Sequence, residues 1–231
     1  MPIELRCLTN SVPRPGVSFS TGTGLVCIAS GMGPDNAGRA AEHLIPYGIK
    51  ILVSWGTAGA ISQDLHSGDL ILPDTIQSKD GTVFTTDRDC MAAIRELMSN
   101  GPVTVHHEAL LETDKIIDTT AQKQELARKS GACAVDMESA ELARRAQIHN
   151  TAFVAIRTVV DEAKDTLPAS ILNNIDEYGN VMPLALMREL FMKPSLIKTL
   201  FTLSSAMKAA ILSLQEVARK TDNLTMIMDK A

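Results

Sequence analysis

The sequence predicts an α/β domain in which a central mixed β-sheet is flanked by helices. Three observations carry that prediction. Apolar, β-rich runs alternate with segments of helical periodicity. The runs are continuously apolar, as in strands buried on both faces, rather than alternating. No Pro/Gly/Ser-rich linker, internal repeat or low-complexity tract divides the chain, so residues 1–231 read as one domain, long enough to bury a substantial core.

Taken in order, residues 25–30 (LVCIAS) read as a buried strand. Residues 35–44 read as a helix, with Asp35 or Asn36 near its start and Ala37, Ala40, Ala41 and Leu44 on one face. Residues 49–54 (IKILVS) form the next strand and 69–73 (DLILP) a short one. Residues 91–98 read as helix, 103–106 as strand, 120–130 as helix and 132–137 as strand. A helix over 138–149 and a long buried strand over 151–160 (TAFVAIRTVV) follow. The last fifty residues, about 181–231, form a helical extension rich in Leu and Met with interspersed Lys and Arg. Pro183 and Pro194 punctuate it into two helices, the longer over 195–220.

Composition excludes several functions. The net charge of −5 gives no electrostatic case for nucleic acid, and 3% aromatic residues build no base-stacking platform. Cys7, Cys27, Cys90 and Cys133 form no C-x-x-C pair and no zinc spacing. Cys27 and Cys133 sit in apolar runs as small core residues. The five histidines show no metal-ligand spacing. The start, MPIELRCLTNS, lacks the pattern of a signal peptide, and no apolar run approaches the length of a transmembrane helix; the reading is a cytoplasmic protein.

Two glycine motifs follow strands. Residues 31–36 (GMGPDN) open a helix, where Gly31 and Gly33 let backbone approach a ligand or simply make a tight turn. They are no dinucleotide fingerprint: Asn36 replaces the third glycine and no acidic residue lies near position 53, which argues against an oxidoreductase. Residues 54–60 (SWGTAGA) read as a ligand-binding loop at a strand's carboxyl end, with Gly56 giving access and Thr57 a hydroxyl and an amide. The alternative is a loop kept small for packing. Glu138 starts a helix, where a carboxylate is stabilised by the helix dipole whether or not it has a further role. Asp161 follows the most hydrophobic strand. Desolvation there makes it a candidate proton donor, with a helix N-cap as the alternative.

Four segments in this order, SGMGPDNAGRAAEHL, ILVSWGTAGAISQDLHSGDLILPD, ACAVDMESAELARRA and AFVAIRTVVDEA, resemble the sequential motifs of the nucleoside phosphorylase and nucleosidase superfamily over residues 20–168. The resemblance implies the phosphorylase/hydrolase-like three-layer fold and cleavage of the N-glycosidic bond of an adenine nucleoside. It implies that Asp161 protonates or hydrogen-bonds purine N7, that Glu138 binds the ribose hydroxyls and that Met137 packs on the ribose. Thr57, Gly56, Gly31 and Gly33 fall in the phosphate- or water-binding region. Glu4 and Arg6 fall where nucleosidases have a base for water and phosphorylases a phosphate-binding Arg. No metal or organic cofactor is implied, with inorganic phosphate as the one alternative co-substrate, and a homo-oligomer is implied.

Residues 165–181, followed by the basic, Leu-rich tail, are similar to the hopanoid-associated phosphorylases, which implies a lipid-linked substrate such as adenosylhopane. A basic, apolar tail suits peripheral contact with a membrane; packing on the sheet or at a subunit interface is the alternative. The chain departs from the family pattern twice. It begins almost at the Glu4 and Arg6 loop, so either the first strand is missing, which would leave a gap in the sheet at the nucleophile site, or another segment replaces it. Ser54 stands where purine phosphorylases carry a phosphate-binding Arg, which weakens phosphorolysis and leaves hydrolysis open. A methylthioadenosine- or futalosine-type nucleosidase and a catalytically impaired nucleoside-binding protein are the competing readings.

Overall fold

Two ten-residue parallel strands, β3 (Ile51–Ala60) and β10 (Ala152–Asp161), form the spine of the computed structural model. It describes residues 2–9, 14–21, 24–172, 174, 176, 178, 182, 192–193, 196–222 and 224–225. The other strands are short: β1 (Phe19–Ser20), β2 (Val26–Cys27), β4 (Leu70–Ile71), β5 (Thr75–Gln77), β6 (Val83–Thr85), β7 (Val105–His106), β8 (Leu110–Glu112) and β9 (Ala134–Asp136). The helices are α1 (Pro2–Leu5), α2 (Pro34–Leu44), α3 (Arg88–Met98), α4 (Thr120–Ser130), α5 (Ser139–Ile148), α6 (Ala169–Leu172) and α7 (Leu196–Lys220).

Eight strands form one mixed sheet in the order β6-β5-β8-β9-β3-β10-β4-β7, and β1 and β2 pair separately. The period of two along β10 sends alternate side chains to opposite faces. Phe153, Ala155 and Val159 join Ala41, Leu44, Ala140 and Ala143 of α2 and α5. Val154 and Ile156 join Met91 and Ile94 of α3 and Leu214 and Val217 of α7. A strand buried on both faces has no polar side to show, which is why its sequence reads as one apolar run. The expected three layers are therefore present.

The two edges of β3 differ. Ala152 N–H donates to the Lys50 carbonyl at 3.2 Å. In the parallel ladder this commits the even-numbered residues of β3 to β10, so Ile51, Val53, Trp55 and Thr57 turn their peptide groups the other way. On that side β9 pairs only with Gly59 and Ala60. Among the described residues no strand pairs there with residues 51–58; α1 lies alongside, its Glu4 carbonyl accepting Trp55 Nε1–H at 3.0 Å. The gap expected in the sheet lies on this edge.

Several expectations are corrected. Residues 25–30 do not enter the main sheet. Thr21 N–H bonds the Leu25 carbonyl at 3.0 Å, closing a local hairpin, and Gly16 N–H takes the Ala29 carbonyl at 2.9 Å. Residues 54–60 are strand rather than loop, because β10 pairs with them through Gly59. Strands β5, β6 and β8 were not expected; each is only three residues long, too short for a periodicity to register. Contrary to the expectation of no such run, α7 is long and apolar enough by length and composition to cross a membrane, since Lys198 and Lys208 alone interrupt its first twenty residues. Its second half is core: Ala210, Leu214, Val217 and Ala218 are buried, and it packs on β10 and α3. The shorter helix expected in the extension lies outside the described residues.

Candidate active site

Three strands deliver charged and polar groups to one region. Strand β10 carries Arg157 inside the sheet and ends on Asp161. Strand β9 ends on Asp136 and passes through Met137 and Glu138 into α5. Strand β3 contributes Ser54 and Thr57.

Arg157 is 4% exposed, and a guanidinium so buried requires anionic and polar partners. Its Nη2 lies 2.7 Å from Asp136 Oδ2, 2.7 Å from Ser54 Oγ and 3.3 Å from Glu138 Oε2. Ser139 Oγ–H bonds Asp136 Oδ2 and lies 2.9 Å from Ser54 Oγ, which closes the network. Glu138 Oε1 accepts Gly33 N–H at 3.0 Å. Burial pushes the Glu138 carboxyl up from the usual range; Arg157 opposes this, and Asp136 adds to it. On the neighbouring register pair Glu112↔Asp136, burial raises Glu112 to about 7, with Asp136 and Glu141 contributing against the Glu141 N–H that it accepts at 2.8 Å.

Glu4 is 3% exposed and enters from α1. Its Oε1 accepts both Thr57 N–H at 2.9 Å and Thr57 Oγ1–H at 2.8 Å. Glu4 and Arg6 are two residues apart, a spacing that cannot place both on one side of a helical turn. Glu4 faces inward and Arg6 is exposed, so Arg6 is not brought to the site.

Asp161 forms a separate centre. It is 6% exposed, and its Oδ2 accepts Lys123 Nζ at 2.5 Å. Burial pushes its carboxyl up and the Lys123 ammonium opposes this, with Asp165 a further raising charge. The desolvation expected from the hydrophobic strand is present.

The glycines make room for charged side chains. A Cβ on Gly56 would lie 2.6 Å from Arg157 Nη1 and 3.1 Å from Glu4 Oε1; one on Gly59 would lie 2.9 Å from Asp161 Oδ1. Gly31 and Gly33 have φ of 88° and 94°, which side chains rarely adopt, and the turn they make aims the Gly33 amide at Glu138. A cleft of about 600 Å³ brings together Glu4, Gly31, Thr57, Met137, Glu138 and Asp161. Gly33 and Gly56 are buried behind its lining, the first engaged by Glu138 and the second shielded by Arg157 and Glu4. Sequence reasoning missed Arg157, Asp136, Ser139 and Lys123. An arginine inside the most apolar run was a usable signal, since a charge in a buried strand needs a partner; Lys123, on a polar helix, gave none.

Residues 9–188 match the model of the phosphorylase superfamily. The DeoD-type purine nucleoside phosphorylase of Streptococcus pyogenes serotype M4 is 26% identical over 149 residues, which span 60% of this chain and 63% of that one. The chain thus spans less than two thirds of that relative's length. A 5′-methylthioadenosine/S-adenosylhomocysteine nucleosidase of Staphylococcus aureus is 24% identical over 157 residues, covering 60% and 69%. Among solved structures, the nucleosidase of that name from Neisseria meningitidis, in complex with methylthio-immucillin-A, superposes with a TM-score of 0.69 at 17% identity, over 97% of this chain and 96% of that one. At that identity the likeness speaks for the fold.

Proposed function

The chain belongs to the phosphorylase superfamily, and we propose that it hydrolyses the N-glycosidic bond of an adenine nucleoside carrying a large apolar 5′ group. One observation carries this reading: Glu138 and Asp161 line the same cleft, Asp161 buried and Glu138 partly buried, with different counter-ions. Breaking the bond between sugar and base leaves positive charge on the sugar and an electron pair on the base. A carboxylate beside the sugar and an acid beside the base serve those two demands. Glu138, steadied by Gly33 N–H and Arg157, takes the ribose hydroxyls, with Met137 against the sugar. Asp161 gives a proton to purine N7 as the C1′–N9 pair moves into the ring. A water attacks C1′ and loses its proton to Glu4.

Water is favoured over phosphate by charge. Glu4, Asp136 and Glu138 surround the single guanidinium of Arg157, and the Thr57 amide and hydroxyl already serve a carboxylate. A phosphate would meet net negative charge.

The 5′ group is read as a lipid hydrocarbon, as in adenosylhopane. The cleft wall nearest α6 and α7 carries Leu167, Ile171, Leu172, Leu200, Leu203 and Met207. On α7, exposed Ile197 and Phe201 sit beside Lys198, which suits an anionic membrane surface. The family resemblance adds a homo-oligomer to the proposal.

The test is adenine release from adenosines of increasing 5′-alkyl length, with and without inorganic phosphate, for wild type and Asp161→Asn. The expected result is phosphate-independent release that improves with alkyl length and falls about 10²- to 10⁴-fold in the variant. Strict dependence on phosphate makes the protein a phosphorylase. Tight binding of nucleosides with no release makes it a binding protein.

A further inference from the structure

Helix α4 has one buried residue among its eleven, and that residue is a lysine. Lys123 is 0% exposed. Its Nζ donates to Asp161 Oδ2 at 2.5 Å and to the Glu162 carbonyl at 2.7 Å. Leu126 and Ala127 of α4 pack on a separate apolar cluster, so the helix does not need Lys123 inside to hold its place. Burying an ammonium is costly unless a partner is placed to receive it. Asp161 Oδ1 takes no hydrogen bond among the described residues, and the carboxyl lines the cleft.

We propose that Lys123 is the positioning residue of the acid centre: it holds the Asp161 carboxyl by Oδ2, leaves Oδ1 for the bound base and neutralises the carboxylate left once the proton has moved to the base. This rests on Asp161 as proton donor. The step balances: the O–H bond of Asp161 breaks, an N7–H bond forms, the C1′–N9 pair enters the ring, and the new carboxylate is paired with the Lys123 ammonium. Without Lys123 the same step creates a carboxylate that is buried and has no counter-ion, so the transition state loses support that the ground state does not need. The charged groups around Asp161 are Lys123 and, with the opposite effect, Asp165. Lys123 is thus the cation that keeps the proton from being bound too tightly to leave.

The test compares wild type, Lys123→Met and Lys123→Arg in adenine release over about pH 5 to 9. Lys123→Met is expected to lower kcat by about 10²-fold with a much smaller change in KM. Removing the cation raises the proton affinity of Asp161, so the alkaline limb of the rate profile moves to higher pH. Lys123→Arg restores the limb. A merely structural lysine would lower activity without moving the limb, and that result overturns the proposal, as does wild-type turnover in Lys123→Met. If the wild type releases no base, the functional reading fails first. The pairing is then read from the Asp161 carboxyl band in infrared difference spectra, assigned with Asp161→Asn. A titration unchanged in Lys123→Met sinks the inference; a shift to higher pH supports it. Should Lys123→Met not fold, recovery of folding in Lys123→Met/Asp161→Asn attributes the loss to the unpaired carboxylate, and the profile of Lys123→Arg decides.

Discussion

The two charged centres of the cleft are built on opposite plans. At Glu138 a single guanidinium is shared by Asp136, Glu138, Ser54 and Ser139, with Glu112 behind Asp136 and a backbone amide on the carboxylate. At Asp161 one lysine meets one carboxylate oxygen. The first arrangement is over-determined. Removing Arg157 leaves Asp136 and Glu138 without their shared cation, and the sugar-holding role proposed for Glu138 asks for such a fixed carboxylate. The second is minimal. One hydrogen bond fixes the carboxyl at Oδ2 alone, which suits the proton-donating role proposed for Asp161. Burial alone therefore does not distinguish Glu138 from Asp161; the number and kind of partners does.

Arg157→Met is the largest test of that contrast. It leaves Asp136 and Glu138 facing each other without a counter-ion, and breaking a buried pair by deleting one partner typically costs about 3–5 kcal/mol. Urea denaturation is expected to show a loss of that size, more than Lys123→Met produces, because three carboxylates lean on Arg157 and one on Lys123. Equal losses in the two variants would erase the distinction between holding and reacting centres.

Much of this was legible in the sequence, for identifiable reasons. The helix over 120–130 coincides with the observed one because Thr119 caps it and Gly131, in the left-handed region, ends it. Strand β10 was legible because burial on both faces writes itself as an apolar run. Asp161 was legible because it stands where the most apolar strand ends; Glu138 was singled out as a site residue only through the family resemblance, since a carboxylate at a helix start has a structural reason of its own. Lys123 was not: it lies 38 residues from Asp161 on a helix with no apolar stripe, and only the fold brings the two together. Gly56 and Gly59 read as loop glycines because a glycine pair after an apolar run has that composition. Their actual cause, room for Arg157 and Asp161, depends on side chains some hundred residues away. The strand over 25–30 was over-read because composition records that a segment is apolar, and cannot record that Thr21 and Gly16 close a hairpin around it.

A smaller effect sharpens the contrast from the holding side. Glu112 does not itself line the cleft, yet burial and Asp136 raise its carboxyl from 4.5 to about 7. A group that binds its proton more tightly folded than unfolded stabilises the fold below its ordinary pKa, and that contribution is lost as pH rises through the folded value. The native protein is therefore expected to lose up to about 3 kcal/mol from this group between pH ~4.5 and ~7. Glu112→Gln keeps an acceptor for the Glu141 amide and cannot ionise, so its urea midpoint should fall less over that interval. The slope does not vanish, because Glu138 and Asp161 are raised in the same direction and contribute with the same sign. Turnover should follow Asp161 and be nearly unchanged. If Glu112→Gln instead moves the rate profile while leaving the stability slope alone, the network around Arg157 takes part in proton movement, and the division between a centre that holds and a centre that reacts must be redrawn.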